Sequence, residues 1–287
     1  MNEQTIRADG LELATQSFGN PAHPPMLLIM GGMASMLWWP DGFCRRLAAR
    51  GRFVIRYDQR DTGLSSKFAP GRPGYGFEDA VDDVFRLLDG YGLSAAHVVG
   101  FSMGGMIGQG AALTRPERVL SLTVISSTPI GMDRSQLPKS GEAWLQHMAV
   151  EVDWSDRAAT VAYEVEDARL IAGTAYGFDE SGTRAFVEKD FDRSGGYLNA
   201  TNHIVLLRGG ELWRGRLGDL RAPLLVIHGT ADPVFPMEHG VQLSGAVAGA
   251  RLMKLEGGGH ELHPGHWDRI VEAIAEHTGS KRGVDRR

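Results

Sequence analysis

The stretch HVVGFSMGG, residues 97–105, sets a single hydroxyl, Ser102, among three glycines directly after an apolar run. Glycine loses more backbone freedom on folding than any other residue, so Gly100, Gly104 and Gly105 mark places where a side chain would be in the way. An apolar strand, a sharp turn carrying a serine and a helix starting near Met103 make the arrangement called a nucleophile elbow. Such a turn strains the backbone at the serine and projects its Oγ from the top of a sheet. Gly100 and Gly104 then clear the turn two residues to either side, and Gly105 lets the helix approach the strand. The helix start also aims backbone N–H groups at the same point, where an anion is welcome.

A serine hydroxyl alone is a poor nucleophile; it needs a base, and the base needs an acid to orient it. In the elbow arrangement the partners follow in the order serine, carboxylate, histidine. Asp232 lies in ADPVFP, directly after the apolar run PLLVIH, and His260 lies in GGGHELHP, directly after RLMKLE. His263 is the competing base, but its position suits the start of the next helix. The run LSLTVIS is followed by TPIG, which offers no carboxylate, and this favours Asp232 over an earlier acid. An aspartate before proline is also a common turn residue, and spacing to Ser102 and His260 is what sets Asp232 apart. His228 falls within its strand and is assigned to packing. Donors for a tetrahedral oxyanion are expected from the N–H of Met103 and from the loop GGMAS, residues 31–35, where Gly32 is preferred and Met33 is the alternative.

Several elements must hold these residues in place. Short runs rich in Val, Ile and Leu recur at 26–30, 53–57, 97–101, 120–126 and 223–228, with 251–256 a weaker one. Continuous apolar strands are what a parallel sheet covered on both faces requires. Helical segments fall between them: PDGFCRRLAARG, FEDAVDDVFRLLDGYG, MIGQGAALTRPE and HWDRIVEAIAEHTG. In the second, Val81, Val84, Phe85 and Leu88 share one face, with Asp82, Asp83 and Arg86 expected opposite. The alternation predicts an α/β fold with a mostly parallel, doubly wound sheet, opened by an antiparallel hairpin at the turn Asp9-Gly10. It breaks between about Pro129 and Leu217, too long a gap for a loop. The expected organisation is a core over 1–130, a helical cap insertion over 131–217, the rest of the core over 218–280, and a solvated basic tail over 281–287. Met33 and Trp38 near the serine, with Trp144 and Trp213 from the cap, are the candidate pocket residues. Tyr176 and His203 are weighed for the pocket mouth against the cap's own core.

The composition narrows the function classes. The 287 residues are 43% hydrophobic and 23% charged, with a formal net charge of −5, which gives no reason to expect nucleic acid as a partner. Cys44 is the one cysteine, read as a small buried apolar side chain; it excludes an internal disulfide and fits a reducing, cytoplasmic setting. The opening MNEQTIRADG has no apolar signal segment, and no uncharged run suits a membrane span. No metal-ligand spacing and no dinucleotide-binding glycine pattern is visible, so no cofactor is expected, and the partner is a small-molecule ester.

At this point the chain resembles the α/β-hydrolase superfamily across its length, with Ser102, Asp232 and His260 where that family carries its triad. YDQRDTGLS, residues 57–65, is similar to the family's D-x-R-G-x-G-x-S loop, with Asp61 where glycine is usual and an Asp58–Arg60 contact expected. Where most members have His-Gly after the third strand, this chain has Met30-Gly31-Gly32. LLIMGG, WPDGFCRRLA, VIRYDQRDTG, YGF, AHVVGFSMGG and SLTVIS further resemble the aclacinomycin methylesterase group, mainly in the first 130 residues. That resemblance implies a cofactor-free serine carboxylesterase whose cap selects an apolar ester, such as an anthracycline polyketide methyl ester. The same triad could instead serve perhydrolase (haloperoxidase-like) or C–C hydrolase chemistry, and the fold can also serve as a ligand receptor without turnover.

Overall fold

The computed structural model describes residues 3–279, so the basic tail at 281–287 lies outside the described residues. Eight strands form one sheet in the order β1-β2-β4-β3-β5-β6-β7-β8. They are β1 (Glu3–Ala8), β2 (Leu11–Phe18), β3 (Pro25–Ile29), β4 (Phe53–Tyr57), β5 (Ala96–Phe101), β6 (Val119–Ile125), β7 (Leu224–Gly229) and β8 (Arg251–Leu255). β1 pairs antiparallel with β2, and β2 with β4, while every later pairing is parallel. The turn between β1 and β2 places both Asp9 and Gly10 at positive φ, as a two-residue hairpin with the right strand twist demands. The weaker strand signal belongs to β8, an edge strand whose Arg251 and Lys254 are exposed, which discourages further pairing.

Alternate residues of each central strand feed two cores. Leu27 and Ile29 of β3 face α2 (Phe77–Gly90) and α3 (Met103–Thr114), while Met26 and Leu28 face α1 (Asp41–Ala49) and α9 (Trp267–Gly279). Between β6 and β7 the chain forms α4 (Glu142–Met148), α5 (Arg157–Ile171), α6 (Glu180–Ser194) and α7 (Asn202–Leu206). α8 (Met237–Gly245) separates β7 from β8 and lacks a clean apolar period. Its Gly240 is needed because a Cβ there would sit 2.8 Å from the ring of His228. Among the described residues no helix is long and apolar enough to cross a membrane.

Two expectations about charged residues need correction. Asp58 and Arg60 take different partners instead of each other. Arg60 instead grips Asp83 of α2 with two hydrogen bonds of 2.6 and 2.8 Å, which is why Asp83 is buried rather than facing outward. Asp58 accepts the N–H groups of Met36 and Leu64 and pairs with Arg193 of α6 at 2.9 Å. Asp61, standing where glycine is usual, does adopt a positive φ of 68°. Its carboxylate accepts from Phe68 N, Tyr75 Oη and Asn202 Nδ2, bonds a glycine could not make. Cys44 is fully buried and packs with Phe43 and Leu47, and burial pushes its thiol up to about 12.

Candidate active site

Ser102 occupies the turn between β5 and α3 with φ 52° and ψ −121°, a region that side-chain-bearing residues rarely enter. The strain is held by neighbours: Ser102 N–H donates to Ile125 O, and Ser127 Oγ donates to Ser102 O at 2.7 Å. The flanking glycines clear backbone, not the serine side chain. A Cβ at Gly100 would lie 2.2 Å from Gly104 O, and one at Gly104 would lie 2.2 Å from Ile29 O on β3. A Cβ at Gly105 would meet Ser127 at 2.7 Å, so the helix could not settle against β6.

From this turn a hydrogen-bond chain runs to the ends of β7 and β8. Ser102 Oγ lies 2.9 Å from His260 Nε2, and His260 Nδ1 lies 2.9 Å from Asp232 Oδ2. The second oxygen, Asp232 Oδ1, accepts the N–H groups of Val234 and Phe235 at 2.9 Å each, which fixes the carboxylate plane. Burial works to raise the Asp232 pKa, but attraction and a hydrogen bond from His260, then His228 and the Phe235 N–H, hold it below the ordinary range. An ionised Asp232 keeps the His260 proton on Nδ1 and leaves Nε2 free to accept from the serine. His228 is buried with Nε2 2.7 Å from Phe235 O, and burial lowers its pKa, so it packs as a neutral ring behind Asp232. His263 stands apart from the serine: its Nδ1 accepts from Gly265 N–H at the start of a short 3-10 turn, and its ring stacks on Tyr176.

The loop after β3 is held from two sides. Gln59 Nε2 donates to the carbonyls of Met30 and Gly31, and Met33 N–H donates to Nδ1 of His203 on α7 at 2.9 Å. Met33 sits at φ 64° and its N–H is committed to His203, so it is not a free donor. Among the described residues neither the N–H of Gly32 nor that of Met103 donates to another protein group. Gln59 has no counterpart in the sequence expectations, and His203 is weighed there only for the pocket mouth; both act on backbone atoms and leave no pairing of residue types to recognise.

Ser102 and His260 open onto a cavity of about 1320 Å³ roofed by the segment between β6 and β7. Met33, Trp38 and Trp144 line it, but Trp213 does not. Trp213 is fully buried on the other side of α3, against Phe77 and with its Nε1 donating to Thr114 Oγ1, because its indole fills the groove beside Gly110. Tyr176 lines the cavity near His263, and His203 is buried beneath it. The glycine run before His260 is a packing device. His260 N–H donates to Ile171 O, and Thr174 and Ala175 N–H groups both donate to Gly257 O. A Cβ at Gly259 would fall 2.3 Å from Ile171 O.

Residues 24–266 match the alpha/beta hydrolase fold family. The chain belongs to the α/β-hydrolase family. This α/β hydrolase is 34% identical over 298 aligned residues to rhodomycin D methylesterase DauP of Streptomyces sp. (strain C5), covering 97% of this chain and 98% of that one. The similarity therefore extends well beyond the first 130 residues where the motif matches concentrate. Among solved structures, an esterase from Exiguobacterium antarcticum has a TM-score of 0.80, with 22% identity over 98% of this chain and all of that one. The 2-hydroxy-6-oxo-6-phenylhexa-2,4-dienoate hydrolase of Rhodococcus sp. strain RHA1 also gives 0.80, at 21% identity over 97% and 99% of the two chains. At those identities the α/β hydrolase shares a fold with both, and the fold alone.

Proposed function

We propose that this ester-cleaving hydrolase is a serine carboxylesterase acting on apolar esters, methyl esters of bulky polyketide-type acids among them. The observation that carries the reading is the unbroken Ser102–His260–Asp232 hydrogen-bond chain opening on a cavity large enough for such an acid. The similarity to rhodomycin D methylesterase supports the methyl ester. Ser102 Oγ attacks the ester carbonyl while His260 Nε2 takes its proton. Asp232 keeps the imidazole oriented and stabilises its charged form. The N–H groups of Gly32 and Met103 receive the oxyanion, a contribution of about 3 kcal/mol per donor in comparable sites. His260 returns the proton to the departing alcohol, and a water then hydrolyses the acyl-enzyme by the same route in reverse. Residues 131–217 act as a cap that selects the acid, and the lone buried thiol of Cys44 fits a cytoplasmic setting for the reaction.

The test is rapid-mixing hydrolysis of p-nitrophenyl butyrate by the wild-type protein and by Ser102→Ala at equal concentration. A burst of nitrophenol stoichiometric with enzyme, or steady turnover, is expected for the wild type and absent in the variant. Equal release by both proteins overturns the assignment of Ser102.

A further inference from the structure

We propose that one ordered water is built into the protein beneath the loop after β3, and that Tyr57 positions the oxyanion donor of Gly32 through it. The inference rests on the ester-hydrolase reading, the Gly32 donor included, and adds a binding site and a positioning residue to it. Phe53, Ile55 and Tyr57 alternate along β4 into the core shared with α2 and α3, and Gln59 follows two residues later. Both Tyr57 and Gln59 are buried, yet neither Tyr57 Oη nor Gln59 Oε1 has a hydrogen-bond partner among the described residues, so the two do not bond each other. Both residues line one small cavity, together with Arg60, Tyr75, Asp83 and His203. The space open there to the centre of a water molecule is about 10 Å³, which suits a single water.

A hydroxyl and an amide oxygen buried without partners oppose folding, and one water answers both. It accepts from the Tyr57 O–H and donates to Gln59 Oε1. Burial, then the charge of Asp83, hold the Tyr57 pKa far above its ordinary value, so the hydroxyl keeps a proton to give. What the water fixes is the Gln59 amide. Gln59 Nε2 spends its two hydrogens on Met30 O at 2.9 Å and Gly31 O at 3.1 Å. In a trans peptide the N–H points opposite to the C=O, so the grip on Gly31 O aims the Gly32 N–H the other way. Turned over, the amide would set its oxygen against those two carbonyls and release the peptide. A water donating to Oε1 keeps the oxygen on its own side and the hydrogens on the loop's side.

A crystal structure of the wild-type protein at near-atomic resolution tests the site and needs no variant. Density for one water within hydrogen-bond reach of both Tyr57 Oη and Gln59 Oε1 is expected; a dry cavity, or the two side chains bonded directly, overturns the proposal. Kinetics test the role. Tyr57→Phe keeps the ring and removes only the hydroxyl, and it is expected to lower kcat for p-nitrophenyl butyrate roughly fivefold with KM within about twofold. Gln59→Leu is expected to cost at least as much, and adding Tyr57→Phe to it little more, because Tyr57 acts through the amide. An unchanged kcat in Tyr57→Phe, a change confined to KM, or losses that multiply in the double variant each overturns the proposal. Turnover of the ester by the wild-type protein is scored separately and bears on the ester-hydrolase reading alone.

Discussion

The N–H of Met33 donates to Nδ1 of His203, 170 positions further along the chain, and this pair decides how the loop after β3 is presented to the site. Because Nδ1 must accept, the ring carries its proton on Nε2, which donates to Arg60 O at 2.7 Å. Burial lowers the His203 pKa and keeps the ring in this neutral form. Thus α7 and Gln59 hold the loop from two sides, and in the proposed mechanism Gly32 N–H is its donor to the oxyanion.

His203→Phe is therefore expected to lower kcat by up to about 10² while changing KM much less, since the loop stabilises the transition state more than the ground state. His203→Asn can present its Oδ1 to the Met33 N–H and should recover part of the loss. Steady-state kinetics on one ester separates the two parameters; a fall confined to KM would count against the assignment.

Asp232→Asn should cost roughly 10³–10⁴ in kcat with little change in stability, because the amide can hold the imidazole in the wrong tautomer. The check is turnover alongside thermal melting.

Gly100→Ala tests the elbow's geometry. The added Cβ faces backbone at 2.2–2.6 Å, where no side chain can swing away, so a loss of about 3 kcal/mol or more is expected from denaturant titration.

Trp213→Ala should destabilise the fold by about 3–5 kcal/mol through the cavity it leaves beside α3, while KM for the ester stays near the wild-type value. A selective rise in KM would return Trp213 to the substrate pocket.

Glu164 gives a stability signature of its own. Its pKa rises from an ordinary 4.5 to about 8 in the fold, so the folded state holds a proton that the unfolded chain releases. The associated stability is complete below about pH 4.5 and is lost as pH climbs toward 8. Glu164→Gln carries no such titration, so its melting temperature relative to wild type should increase between pH 5 and 8. A constant difference would contradict the shift.

How much of this was legible in the sequence depends on what each residue touches. Ser102 with Gly100 and Gly104 could be read because a turn between strand and helix admits so few residue types. Asp232 and His260 could be read because each directly follows a strand, and the structure brings both to Ser102. Trp213 could not be placed, since an indole suits a ligand pocket and a core equally until the helix beside it is known. Asp83 and Arg60 were misassigned for a related reason: an amphipathic pattern turns charged residues outward by default, whereas a bidentate pair repays burial of both. α8 escaped notice because Gly240 and Ser244 interrupt its apolar spacing, the former to make room for His228. Of the glycines at 257–259, Gly257 and Gly259 abut the backbone of residues 171–175, contacts that no residue pattern announces.

That last contact bears on how such enzymes can be recombined. The stretch at 171–175 and the loop at 257–261 fit each other backbone against backbone, and Glu261 closes the join by accepting from Gly173 N–H at 2.8 Å. Replacing residues 171–175 alone would remove the bonds by which Ile171 O accepts from His260 N–H and Gly257 O accepts from Thr174 and Ala175 N–H. The two stretches, far apart in the chain, pack as one unit, and a chimera that exchanges one of them is expected to need the other.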